Sequence, residues 1–275
     1  MKATLITGGS SGIGEAFARR LAAEGHNIVL VARSEDELSA LCDELMLEHD
    51  ISAHYVAIDL NDYQADLRLF KETVNHDLEI DFLINNAGFG SMGYFADLDL
   101  ERELNMISLN VMVLVALTHR YLRLMVEEGE GTIINVSSAA SFQPLPFMAT
   151  YAASKAFVTS FTQAIAEEYG QKGIRIMNLC PGATDTGFFD ASRMEEPVMI
   201  KGVQEPDEVV ETALNALEKG KTSVVSGWMN YFVSRAARIS PDKIVASSVA
   251  RMLRPKVESQ ARSAPEESNA SDEEE

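Results

Sequence analysis

The sequence predicts an α/β fold: a doubly wound, mostly parallel sheet of seven strands with helices on both faces, in a single domain. Three observations predict it. Short β-branched runs alternate with longer amphipathic stretches, the pattern of repeated strand–helix units. The runs are apolar almost throughout rather than at every second position, as strands covered on both faces must be. The first run passes directly into a glycine-rich turn that opens a helical pattern.

Strands are expected at residues 3–7, 27–32, 52–58, 81–85, 131–137, 175–180 and 223–226, with helices near 13–24, 35–48, 63–75, 99–126, 150–171 and 206–217. Right-handed crossovers between such units place ligands beyond the C-terminal ends of the strands. Residues 1–255 read as one domain. Residues 256–275 read as a disordered acidic tail, because they carry few large apolar side chains to offset their ordering entropy. The net charge of −19 disfavours nucleic acid as a partner, since phosphates would be repelled. The two cysteines, Cys42 and Cys180, sit in apolar patterns and read as small buried hydrophobes, not as a disulfide framework. The N-terminal apolar stretch is too short for a signal sequence, and no later run reads as long enough to span a bilayer. A cytoplasmic protein without stable membrane insertion is the expectation.

The turn after the first strand reads Thr7-Gly8-Gly9-Ser10-Ser11-Gly12-Ile13-Gly14. A strand that turns abruptly into a helix needs residues without Cβ, and the helix N-terminus then offers free N–H groups to a pyrophosphate. The spacing is G-x-x-x-G-x-G rather than the more familiar G-x-G-x-x-G. Residues 8–12 also match G-x-S-x-G, the nucleophile elbow of α/β-hydrolases. That elbow requires an acid and then a histidine downstream, and the last histidine here is His119. An elbow on the first strand also lacks a preceding strand to build its oxyanion loop. The turn therefore reads as a dinucleotide site.

About twenty residues further on, where an acid would hold the ribose hydroxyls of NAD, the chain reads Val31-Ala32-Arg33-Ser34. A guanidinium suits a 2′-phosphate that a carboxylate would repel, so NADP is the expected cofactor. No metal site is expected.

Tyr151 and Lys155 are four apart in a helical pattern and so share a face. A phenol near pKa 10 is a poor proton donor or acceptor at neutral pH, and an adjacent ammonium favours its ionised form. Ser138 ends the apolar run Gly131-Thr-Ile-Ile-Asn-Val-Ser-Ser138, at the sheet edge where a hydroxyl can steady a developing oxyanion. With Asn85-Asn86-Ala87-Gly88 after the fourth strand and Asn110 inside a long helical pattern, the chain closely resembles the short-chain dehydrogenase/reductase family, from about Lys2 to Leu217. The resemblance implies a Rossmann fold and hydride transfer between NADP(H) and a carbonyl or alcohol. It matches Asn110, Ser138, Tyr151 and Lys155 to a catalytic tetrad: a water-holding amide, an oxygen-steadying hydroxyl, the acid/base, and a ribose-gripping ammonium that lowers the tyrosine pKa. It matches Thr7, Gly8, Ser10, Ser11, Gly12, Ile13 and Gly14 to the cofactor turn, with Ala32–Arg33 in its NADP-preferring form. Asp59 matches the adenine contact. Asn86, Ala87 and Gly88 match the segment beside the adenosine ribose. Pro181, Gly182, Thr184 and Thr186 match the turn holding the nicotinamide carboxamide.

The substrate pocket is expected from Phe89, Met92, Phe142, Pro144, Phe147, Phe188, Phe189 and Met199, an apolar set that suggests a lipophilic carbonyl, with residues 187–204 as a lid. Residues 221–255 resemble the branch with a longer helical end, which includes fatty-acyl and steroid carbonyl reductases. A homodimer or homotetramer is expected to cover Trp228, Tyr231 and Phe232. The competing reading is an NADP(H)-binding scaffold without turnover; a binding-only module has no use for the phenol. A sugar-nucleotide epimerase is disfavoured by the chain's length and glycine spacing.

Overall fold

The computed structural model describes residues 1–186 and 203–263, the side chains of 260–263 excepted. Seven strands form one parallel sheet in the order β3-β2-β1-β4-β5-β6-β7. They are β1 (Lys2–Thr7), β2 (Ile28–Ala32), β3 (Ala53–Ala57), β4 (Glu79–Asn85), β5 (Gly131–Val136), β6 (Ile174–Cys180) and β7 (Ser223–Val225). The order reverses between β1 and β4. The chain leaving β1 enters the helix Gly12–Ala23 on one face and the chain leaving β4 leads to the helix Leu114–Glu128 on the other, which opens a crevice beyond their C-terminal ends.

The first helices are α1 (Gly12–Ala23), α2 (Glu35–Glu48), α3 (Ala65–Asn75), α4 (Leu100–Ile107) and α5 (Leu114–Glu128). They are followed by α6 (Ala149–Tyr169), α7 (Pro206–Glu218), α8 (Trp228–Ile239) and α9 (Asp242–Ser263). Two apolar cores lie on opposite faces of the sheet. One packs Phe17 and Leu21 of α1, Leu38 and Leu45 of α2 and Val209 and Ala213 of α7 against Leu30, Ile84 and Met177. The other packs Leu69 of α3, Leu117 and Tyr121 of α5 and Ile165 of α6 against Leu5, Leu83 and Ile133. This two-sided cover is the physical reason for the unbroken apolar strands.

Three differences from the sequence reading matter for the site. The expected helix over 99–126 is interrupted at Ser108–Val113 by a π-helical turn, a local widening that often marks functional sites. Counted together, Leu100–Glu128 is long and apolar enough by composition to cross a bilayer, contrary to expectation. Its buried side lies in the core against β4, so protein packing already accounts for that apolarity. Finally, α9 runs to Ser263, so residues 256–263 belong to a helix and not to the expected tail. Leu253 and Val257, four apart and both buried, pin this helix to the body. The rest of the expected tail lies outside the described residues.

Behind the crevice the sheet carries polar side chains where an apolar core would be expected. Asn85, Asn135 and Asn178 are in register across β4, β5 and β6, and all three are buried. Asn85 Nδ2 donates to Asn135 Oδ1 at 2.8 Å and to Thr118 Oγ1 of α5 at 3.0 Å. Asn135 Nδ2 donates to Thr162 Oγ1 of α6 at 3.0 Å. Removing the central amide strands partners on both sides in a place that water does not reach, at a cost of about 1–3 kcal/mol beyond the lost packing. Asn135→Ala is therefore expected to lower stability by about 3 kcal/mol in urea unfolding. A loss below about 1 kcal/mol would show that the row does not hold the helices.

Candidate active site

The glycine turn is built by close backbone approach. Gly14, in the first turn of α1, leaves no space for a side chain: a Cβ there would stand 2.1 Å from Gly8 O. Gly8 itself has φ +65, a conformation natural to glycine. From behind, Asn86 Nδ2 donates to Thr7 O at 3.0 Å and Gly8 O at 3.1 Å. Thr7 Oγ1 accepts from the backbone N–H groups of Asn86 and Ala87, both at 3.0 Å. The ends of β1 and β4 are thus stitched together, and the front of the loop and the α1 N-terminus face the crevice.

A cavity of about 820 Å³ runs from Arg33 and Asp59 over Ser10–Ile13 and Asn86–Gly88 to Ser138, Tyr151 and Lys155. Pro181, Gly182, Thr184 and Thr186 close it from the β6 side. Thr186 lies over the turn, where a Cβ on Gly12 would meet its Cγ2 at 2.8 Å. The arrangement fits a dinucleotide: a cradle from which Cβ atoms are excluded, a helix N-terminus for pyrophosphate, and a guanidinium at one end. Arg33 is open, its guanidinium 3.9 Å from the Asp59 carboxylate.

Most of the residues expected from the sequence meet in this cavity. Thr7, Gly14 and Asn110 do not line it, and they shape it from behind. Asn110 is buried in the π-helical turn. Its Oδ1 accepts from Phe89 N at 3.2 Å, while Nδ2 donates to Phe89 O at 3.0 Å and to Ser154 Oγ at 3.1 Å. Both backbone groups of Phe89 are clamped by one amide. Of the expected pocket residues Phe89 lines the cavity, whereas Met92, Phe142, Pro144 and Phe147 do not. Met92 packs against the cluster of Met106, Met148 and Tyr151, Tyr94 meets the Phe147 ring edge-on, and Arg238 lies 4.5 Å over the Phe142 ring. Phe188, Phe189 and Met199 lie outside the described residues, as does most of the expected lid.

Helix α6, which carries Tyr151 and Lys155, is tied to β5 by a ladder of polar contacts. The Ser138 hydroxyl bonds the Tyr151 phenol. Lys155 Nζ donates to Val136 O at 2.9 Å. Ser137 Oγ donates to Lys155 O at 2.8 Å and meets Thr159 Oγ1 at 2.7 Å. With Asn135 on Thr162, strand positions 138 to 135 meet helix positions 151, 155, 159 and 162, one stripe at helical spacing. The sequence reading missed Asn135, Ser137, Thr159 and Thr162. The available signal was polar residues at alternate positions of a strand otherwise apolar, facing hydroxyls on the Tyr151–Lys155 stripe.

Burial dominates the protonation of both groups. It pushes the Tyr151 phenol up to about 12, with the Ser138 hydrogen bond pulling the other way. It pushes the Lys155 ammonium down to about 8. This departs from the expectation that the ammonium lowers the phenol: Lys155 directs its Nζ at a carbonyl, 6.0 Å from the centre of the tyrosine ring. At neutral pH the phenol holds its proton and the lysine is mostly charged. The neutral phenol, with Ser138 beside it, can give a proton to an oxygen that is gaining charge.

A dinucleotide crevice ending at such a phenol defines a nicotinamide-dependent oxidoreductase. The family profile described as short chain dehydrogenase matches residues 2–197, and the protein belongs to the short-chain dehydrogenase/reductase family. Among curated relatives, hydroxysteroid dehydrogenase-like protein 1 of Gallus gallus is 34% identical over 69% of this chain and 58% of its own. The very-long-chain 3-oxoacyl-CoA reductase of Mus musculus is 34% identical over 72% of this chain and 63% of its own. The chain thus spans less than two thirds of these two proteins. The 7beta-hydroxysteroid dehydrogenase of Mediterraneibacter gnavus is 32% identical over 82% of this chain and 86% of its own. Among solved structures, a short-chain dehydrogenase from Sphingobium yanoikuyae in complex with NADPH is 32% identical, with a TM-score of 0.78 over 86% of this chain and 93% of its own.

In such enzymes bound nicotinamide supplies or accepts the hydride. In this chain Ser138 and Tyr151 together offer a substrate oxygen two hydroxyls, one of which can pass it a proton. Tyr151→Phe is expected to cut kcat by about 10²–10⁴-fold with cofactor affinity retained, by steady-state kinetics and fluorescence titration. Lys155 gives a second prediction. Between about pH 8 and its ordinary 10.5 the unfolded chain holds a proton that the native one does not. Stability then rises with pH through that window. Subtracting the profile of Lys155→Met from that of the unsubstituted protein should leave this rise, and a flat difference would show that Lys155 is not depressed.

Proposed function

We propose that the protein is an NADP(H)-dependent reductase of a lipophilic ketone or aldehyde. The observation that carries the reading is the apolar lining of the cavity that holds the phenol: Phe89, Leu145 and Met148, joined by Val249, Met252 and Leu253 of α9. A small polar carbonyl would leave that surface without a partner, whereas a bulky apolar one removes it from water. Three of the six lining residues come from the C-terminal helix, consistent with the family branch that has a longer end. The names of the relatives, a 3-oxoacyl-CoA reductase and a hydroxysteroid dehydrogenase, point to substrates of this kind.

Choice of cofactor rests on Arg33. No carboxylate ends β2, and an open guanidinium can fork onto a 2′-phosphate. The NADPH-bound relative supports the same reading. Asn110 acts in it as a positioning residue, through Phe89. The two buried free thiols, Cys42 and Cys180, suit a reducing, cytoplasmic setting. A homodimer or homotetramer finds its support in the apolar patch of Val111, Met112, Val115 and Ala116, a different surface from the aromatic one that the sequence suggested.

Two measurements test the reading. Aliphatic, aromatic, steroid and acyl-thioester ketones assayed by NADPH absorbance should include good substrates, and turnover confined to small polar sugars would overturn the lipophilic assignment. Arg33→Ser is expected to lower kcat/KM for NADPH by about 10- to 100-fold while changing that for NADH little, since only the phosphate contact is lost. Equal losses with both cofactors would remove the basis for NADP.

A further inference from the structure

Helix α8 is held to the body by a narrow stripe. Ser234 is buried and Asn230 and Ala237 are half-buried, while the remaining described positions of the helix are exposed or nearly so. On the diametrically opposite side stand Trp228, Phe232, Arg235 and Ile239, spaced four, three and four apart. Trp228 is 73% exposed, Phe232 63% and Ile239 87%. The rings of Trp228 and Tyr231 pack edge-on against Phe232, 6.4 and 5.7 Å between centroids, which makes them one ridge. Ile244 and Met252 of α9 extend the exposed apolar surface.

The charge around this ridge is opposite to that of the rest of the chain. Residues 228–257 carry six basic side chains and one acidic, in a chain of net charge −19. Arg235, Arg238, Lys243, Arg251 and Arg254 are all exposed. Residues 264–275 hold acids and no base, so the positive charge is confined to the helix pair. Val233 and Met252 are exposed and also line the cavity, so the apolar surface of the helix pair reaches the rim of the pocket.

We propose that α8 and α9 form a docking surface for an anionic phospholipid bilayer, with the aromatic ridge in the headgroup layer and the surrounding cations on lipid phosphates. An aromatic and aliphatic face rimmed by arginine and lysine is the signature of a helix that lies in a membrane interface without spanning it. A second copy of the chain is the poorer occupant, because a two-fold contact on the ridge would set its cations against one another. Docked in this way, the pocket mouth opens toward the lipid, and an apolar substrate reaches Tyr151 without crossing bulk water.

Trp228 is the only tryptophan in the chain, and so its emission reports the ridge directly. The full-length protein is mixed with vesicles of phosphatidylcholine alone, or of phosphatidylcholine with about 30% phosphatidylglycerol. The expected result is a blue shift, quenching by brominated acyl chains and co-sedimentation with the anionic vesicles, each weakened at least about tenfold by high salt. Phe232→Ser with Ile239→Ser should cut binding about tenfold or more and leave NADPH oxidation with a water-soluble ketone unchanged. Unchanged emission with anionic vesicles, equal binding to neutral ones, or a blue shift that follows protein concentration without vesicles would each overturn the proposal. Binding is read without turnover, so its failure is distinct from failure of the proposed reaction.

Discussion

The site depends on how one helix is seated on one strand. Four successive residues of β5 and the turn beyond it meet four residues of α6 along a single stripe, through hydroxyls, amides and a buried ammonium. Apolar packing alone would tolerate a small slide or rotation of α6, because it is non-directional. Directional bonds between buried groups do not, since a slip of one residue would leave several donors unpaired in a place without water. The polar ladder therefore fixes the rotation of α6, and with it the point at which Tyr151 and Lys155 enter the crevice.

The same logic continues across the sheet. Asn135 accepts from Asn85, which bonds Thr118 on α5, so the helix carrying Asn110 is referenced to the same strand row as the helix carrying Tyr151. Asn110 then clamps Phe89, the residue after the Asn86–Gly88 segment, and Asn86 holds the glycine turn. From the turn to the phenol, the parts are connected by hydrogen bonds that are buried or partly buried behind the cavity. A proton donor placed in this way gains from orientation that is present before any substrate arrives.

Much of this was legible in the sequence, and what was not has identifiable causes. The alternation of apolar strands and amphipathic helices predicted the fold because burial on both faces writes itself directly into composition. The glycine turn was legible because Gly14 and Gly8 obey a steric rule that no other residue satisfies. The polar ladder was overlooked because Asn135, Ser137, Thr159 and Thr162 look like ordinary interruptions until strand and helix are brought face to face. The wall of the pocket was misassigned for a similar reason. Phe142 and Phe147 are close in sequence to Ser138 and Tyr151 but turn elsewhere, one under Arg238 and the other against Tyr94. The residues that replace them, Val249, Met252 and Leu253, stand about a hundred positions downstream, and sequence proximity carries no information about them. The end of α9 was misplaced because a short stretch with one proline and scattered charges reads as tail, while Val257 had an apolar partner that only the fold supplies.

The protonation of the tyrosine and lysine shows why burial and reactivity have to be considered together. A crevice dry enough to strengthen hydrogen bonds to a developing charge also opposes ionisation of the groups that line it. Here it raises the phenol to about 12 and lowers the ammonium to about 8, so both are pressed toward neutrality. For a proton donor this is an advantage: a phenol that stays protonated is ready when a carbonyl oxygen becomes basic. For the lysine it is a cost, moderated by the Val136 carbonyl that accepts its hydrogen bond. The ladder that seats α6 also supplies that carbonyl, so the contact that positions the lysine is also the one that makes its burial tolerable.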